Sequence, residues 1–202
     1  MKKTKLFLLF FFIIVTYVYG QFYKNLSQQI DSLVTEDQKW RLLRVQVENK
    51  EIDTVSVEFL SKKIRETDSL NFIIIKQIFE DYGFPGYDKV GESSSQNFFL
   101  LVQHSDRHPE FQDSVLIKIK IEVDRNNASS IDYAYLVDRV KVNANQMQVY
   151  GTQVGPNSTG TSFEPAPVIK PENLNERRKS VGLCPIEEYI KVVNEFYRGQ
   201  LK

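Results

Sequence analysis

Apolar positions recur at helical spacing along most of the chain. Leu26, Ile30 and Leu33 are separated by four and three residues, and Trp40, Leu43 and Val47 continue the stripe. Thr35 followed by Gln38 has the form of a capping box. Asp53 is placed to cap a helix burying Val57, Leu60 and Ile64, and Asp68 to cap another burying Phe72, Ile75 and Phe79. Gly83 suits a helix stop, and Gly83-Phe84-Pro85-Gly86-Tyr87 reads as a turn-rich loop. Ser93 to Ser95 open a further helix carrying Phe98, Leu101 and Val102.

The middle of the chain supports two readings. Val115, Ile117, Ile119, Ile121 and Val123 alternate with polar residues, which is a strand pattern. Phe111, Val115, Ile119 and Val123 are also spaced by four, and Pro109 suits a first helical turn. The segment is long for a strand, so it is read as helix. Ile131 to Val142 poses the same choice and receives the same answer. Gln146 to Tyr150 reads as a short strand. Gly151 to Pro171 holds three glycines, four prolines and five Ser or Thr residues, which cannot continue a helix. Such a long irregular stretch is either functional or mobile. Asn173 to Lys179 and Pro185 to Tyr197 finish the chain as short helices. The expected fold is mainly α: one compact helical domain over residues 21–202, a small β element near residues 146–154, and a long Gly/Pro-rich loop.

The first 20 residues read differently. Met1-Lys2-Lys3-Thr4-Lys5 is positive and Leu6 to Val15 is unbroken apolar sequence, the order of a secretory signal peptide. The apolar stretch is about 14 residues even when extended to Tyr19, short of the roughly 20 that span a bilayer. Cleavage after Gly20 and a periplasmic or extracellular location are expected, with no stable membrane span once the signal is gone. A signal anchor is the competing reading. Removing three lysines with the signal leaves 23 basic residues against 26 acidic. A mildly acidic chain argues against nucleic acid as a partner. The lone cysteine, Cys184, excludes an internal disulfide, a Cys-rich zinc site and a Cys-x-x-Cys pair.

Candidate chemistry concentrates in three places. His104-Ser105-Asp106-Arg107-His108 holds both histidines. Two histidines at i and i+4 can share a metal, but Pro109 pushes His108 out of helical geometry and no further cluster completes the site. His104 can instead act as acid or base with a carboxylate to orient it, or simply end a helix favourably. Asp138-Arg139 places an acid and a base in an apolar stretch. It offers either a guanidinium fork for an anionic ligand or a structural ion pair. Tyr150-Gly151-Thr152-Gln153 can line a polar pocket or form a turn that satisfies its own backbone. Gly155 to Ser162 only superficially resembles a phosphate loop, because Thr161 stands where the lysine belongs and Pro156 removes an amide. Arg177-Arg178-Lys179 reads as a solvated face, with room for one arginine to turn inward. No cofactor and no metal are assigned.

Taken together, several segments resemble an uncharacterised bacterial family, the domain of unknown function 6624. They are Asp37-Gln38 with Arg41, Gly83-Phe84-Pro85 with Val90-Gly91, Gln103-His104-Ser105-Asp106, and Phe111-Gln112. They continue with Tyr133-Ala134-Tyr135-Leu136, Asp138-Arg139, Gln148, Tyr150-Gly151-Thr152-Gln153, Arg177-Arg178, Val181-Gly182-Leu183, Pro185 and Tyr189. The resemblance spans about residues 26–197. Phe84, Cys184 and His108 depart from its pattern. It implies a mostly helical fold and a pocket for a small polar or anionic ligand. His104, Asp106 and Asp138 are the catalytic candidates for hydrolase or transferase chemistry. Gln38, Arg41, Arg139, Tyr150, Thr152 and Gln153 are the ligand-binding candidates. A non-catalytic ligand- or peptide-binding module and a structural or interaction domain are the alternatives.

Overall fold

The computed structural model describes residues 2–197, with side chains from residue 23 onward. The fold is mainly α, as the apolar spacing predicts, with seven helices and a two-stranded antiparallel sheet among the described residues. The chain divides into two compact units, Met1–Leu101 and Val102–Lys202. No helix among the described residues is long and apolar enough to cross a membrane. The side chains on which the expected signal peptide rests lie outside the described residues.

The first unit is built on α1 (Lys2–Glu48) and α2 (Val57–Tyr82), which pack along one another. Leu26, Ile30, Leu60, Ile64, Ile75 and Ile78 are buried. The expected helix starts at Thr35 and Asp68 are absent, because both residues lie inside longer helices. The Thr35 hydroxyl donates to the Asp31 carbonyl within α1, and Asp68 pairs with Arg41. Ser56, not Asp53, caps α2 by accepting from the Phe59 amide. Gly83 ends α2 at φ 68°, a left-handed angle that glycine adopts without strain, and its amide donates to the Phe79 carbonyl. The third helix, α3 (Tyr87–Gln103), is interrupted at Gly91 by a non-helical φ of 78°. Phe84 packs edge-on against Phe98 at 5.7 Å.

The second unit begins with α4 (Pro109–Asp124) and α5 (Ser130–Asn143), packed against each other. Both are helices, as read from the spacing by four. In α4, Phe111, Val115 and Ile119 face inward while Ile117 and Ile121 are 66% and 40% exposed. The alternation in the sequence thus comes from a helix with two apolar stripes. Pro109 occupies the first turn of α4, and Ser129 caps α5 by accepting from the Asp132 amide.

The β element falls later than expected. Gln146 to Tyr150 forms no strand; Gln148 makes a single parallel bridge with Val168. The paired strands are β1 (Val154–Pro156) and β2 (Phe163–Pro165), with Gly155 opposite Glu164. Asn157 closes the hairpin, accepting from the Thr161 amide and donating to the Ser162 hydroxyl. The phosphate-loop-like sequence is therefore a hairpin turn. Beyond β2 the chain runs as an irregular strap through Val168. It then enters a 3-10 turn, α6 (Leu174–Ser180) and α7 (Ile186–Phe196). Asn194 on α7 holds β2, accepting from the Phe163 amide at 2.7 Å and donating to its carbonyl at 3.0 Å.

Candidate functional site

In the first unit, Gln38 and Arg41 surround the buried Asp37 carboxylate. Gln38 donates to Asp37 at 2.7 Å, and Arg41 donates to both Asp37 oxygens at 3.2 and 3.3 Å. Arg41 also pairs with Asp68, so one guanidinium ties α1 to α2.

In the second unit, Asp138 and Arg139 are neighbours in sequence but serve different partners. Asp138 is fully buried on α5. Its Oδ1 accepts from the Val149 and Tyr150 amides at 2.7 and 2.9 Å. Its Oδ2 accepts from the Thr152 amide and hydroxyl at 2.9 and 3.0 Å. A buried carboxylate is tolerated when it is bonded to this extent. Arg139 forms a bidentate pair with Asp106, at 2.7 and 2.6 Å. Asn143 and Gln112 donate to the same Asp106 oxygen at 2.9 and 3.3 Å. Partial burial works to raise the Asp106 pKa. The Arg139 hydrogen bonds and charge, with Gln112 and Asn143, outweigh it and hold the carboxyl below its ordinary value. His104 lies half-buried on the turn after α3.

The carbonyls of the loop that Asp138 grips are held from the opposite side. Arg177 donates to Val149 O at 2.8 Å and Arg178 to Tyr150 O at 2.6 Å. The Tyr189 hydroxyl donates to Thr152 O at 2.9 Å. Gln148 accepts from the Gln153 amide at 2.9 Å and donates to the Gln153 carbonyl at 3.0 Å. Burial and a hydrogen bond with Tyr135 push the Tyr189 phenol above its ordinary pKa. The turn at Gly151 needs φ 68°, and a Cβ there would stand 3.2 Å from Ile186 Cδ1 and 3.4 Å from Leu174 Cδ2. Residues 148–153 are therefore a clamped hub. A buried anion holds its amides and a buried cation its carbonyls, so the two charges balance through peptide dipoles.

Tyr150, Thr152 and Gln153 are thus brought together with Asp138, but as a structural loop whose backbone consumes the carboxylate. Of the Arg177-Arg178-Lys179 run, Arg178 is the arginine that turns inward: it is fully buried, also donates to Cys184 O at 2.6 Å, and stacks over Tyr189 at 5.0 Å. Its Nη2 has no hydrogen-bond partner, and the Tyr189 ring face supplies cation–π attraction instead.

Next to the hub lies an apolar groove of about 640 Å³. It is lined by Pro165, Ala166, Pro167 and Val168 of the strap, by Pro171 and Leu174, and by Ile186, Glu187 and Ile190 of α7. None of these residues stood among the sequence candidates. The signal was present in the alternating Pro165-Ala166-Pro167-Val168, but prolines there read as a loop. Ile186 and Leu174 touch both the groove and the Gly151 turn, so the clamped hub sets the position of the groove wall.

No curated protein and no solved structure matches the sequence. The profile of a family described as a family of unknown function, DUF6624, matches residues 24–202, and the chain belongs to that family.

Proposed function

We propose that this chain is a non-catalytic binding module whose second unit holds an elongated aliphatic ligand between the Pro165–Val168 strap and α7. The groove carries the reading. Its volume, about 640 Å³, falls among small-molecule sites, which are mostly apolar with few polar groups. The strap is poorly suited to strand addition as a binding mode. Pro165 and Pro167 have no amide to offer, and the Ala166 amide donates to Gln153 O at 3.0 Å. An occupant is then held by burial of hydrocarbon rather than by main-chain pairing. The fate of the carboxylates supports the same reading. Asp106 and Asp138, the acid–base partners expected for His104, are spent on Arg139 and on backbone amides.

Titration calorimetry with hexyl, octyl and decyl glucosides below their micelle-forming concentrations tests the proposal. Full burial contributes about 0.8 kcal/mol per methylene, roughly fourfold in affinity, and an open groove retains about half of that energy. Affinity should rise roughly two- to fourfold per methylene. It should be lost in Ile190→Asp, which places a charge on the groove wall. Binding that ignores chain length, or that survives Ile190→Asp unchanged, overturns the reading.

A further inference from the structure

We infer that the groove selects aliphatic ligands whose head group is a cation, through Glu187. This rests on the binding reading above and adds the chemistry of the head group. Glu187 is the only charged side chain in the groove lining among the described residues. It sits in the first turn of α7, exposed, and Asn175 donates to its two oxygens at 3.1 and 3.4 Å. Its own backbone amide and the Asn175 side chain hold its pKa below the ordinary glutamate value, so it is ionised at neutral pH.

Two of the donors that an anionic head group would need are already engaged. The helix start would ordinarily attract an anion, because its first amides lack partners. Here the Ile186 amide donates to Asn175 Oδ1 at 2.9 Å, and the Glu187 amide faces its own carboxylate and helps lower that group's pKa. The strap offers no amide at 165–167, for the reasons given above. Asn175 therefore has two roles: its carbonyl oxygen occupies the helix N-terminus, and its amide orients the Glu187 carboxylate. The groove lining is left with a negative charge at Glu187 and no free donor from these groups. An alkylammonium or quaternary ammonium head is the complementary chemistry.

The test compares decyltrimethylammonium, decyl glucoside and decyl sulfate below their micelle-forming concentrations, on the full chain. The cation should bind roughly two- to fivefold tighter than the neutral glucoside at low salt, the range of an exposed ion pair, and the sulfate weaker than both. The preference should vanish in Glu187→Gln, reverse toward the sulfate in Glu187→Lys, and shrink at roughly 0.5 M salt. If the glucoside binds with the expected chain-length dependence but the sulfate binds as tightly as the cation, the head-group inference fails and the groove reading stands. A cation preference unchanged in Glu187→Gln overturns it as well. Absence of binding by all three ligands overturns both.

Discussion

Replacing Asp138 with asparagine conserves shape and removes one acceptor and one charge. In either amide orientation, the new NH2 faces a backbone amide that Asp138 now accepts. With the amide oxygen kept at the Oδ2 position, Tyr150 and Thr152 retain an acceptor, at 3.1 and 2.9 Å, and Val149 loses its bond of 2.7 Å. Two donors are then left facing each other, each costing about 1–3 kcal/mol if unsatisfied. The surviving bonds lose their charge assistance, and the buried Arg178 loses its balancing anion. Asp138→Asn should therefore destabilise by roughly 3–5 kcal/mol. At about 2–4 °C per kcal/mol for a chain of this size, the melting temperature falls by roughly 6–20 °C. Urea denaturation followed by far-UV circular dichroism measures this. Arg178→Met should be comparably damaging. The double variant should fall short of the sum of the two, because both charges act on one peptide segment. A loss below about 1 kcal/mol for Asp138→Asn would refute the clamped-hub reasoning.

Other outcomes follow from the same geometry. Arg139→Ala should cost no more than about 1 kcal/mol, because Arg139 and Asp106 have side chains 28% and 41% exposed, and the cost should shrink with salt. Asp106 has a lowered pKa, so its contribution is present at neutral pH and disappears as pH falls below the ordinary aspartate range. Asp132 behaves oppositely: burial, only partly offset by Ser129, raises its pKa to about 6. The native state then holds a proton the unfolded state has released, and stability falls as pH rises from about 4 to 6. Asp132→Asn should stabilise the protein at pH values above about 7 by roughly 1–2 kcal/mol after the lost helix-dipole interaction, seen as a higher melting point, with no gain near pH 4. Gly151→Ala should destabilise by about 1–3 kcal/mol in denaturant titration, because alanine disfavours φ 68° and its Cβ presses Ile186 and Leu174. Mass spectrometry of protein recovered from an exporting host should find Gln21 as the first residue; retention of residues 1–20 would contradict the export expectation.

Much of the fold was legible because periodicity reports burial directly. In α4 the spacing of Phe111, Val115 and Ile119 identified the buried face even though Ile117 and Ile121 mimic a strand. The helix starts misread at Thr35 and Asp68 have one cause: a short polar residue between apolar stripes looks the same whether it caps a helix or bonds within one. The polar motifs stood out in the sequence, but the partners each of them takes were not legible. Asp138 meets its partners 11 to 14 residues further along the chain, and Arg178 meets Tyr150 28 residues before it. No local pattern encodes such contacts. The groove was hidden for a similar reason, since its walls come from an irregular strap and a helix about 20 residues later in the chain.

The most direct test of the groove as the binding site is a methyl-resolved NMR titration of the full chain, labelled at Ile, Leu and Val, with decyl glucoside. Shift changes are predicted to concentrate at Val168, Leu174, Ile186 and Ile190, the methyl-bearing lining of the groove. Saturable changes centred instead on buried methyls of the first unit, such as Ile75 or Leu60, with the groove methyls unmoved, would contradict it.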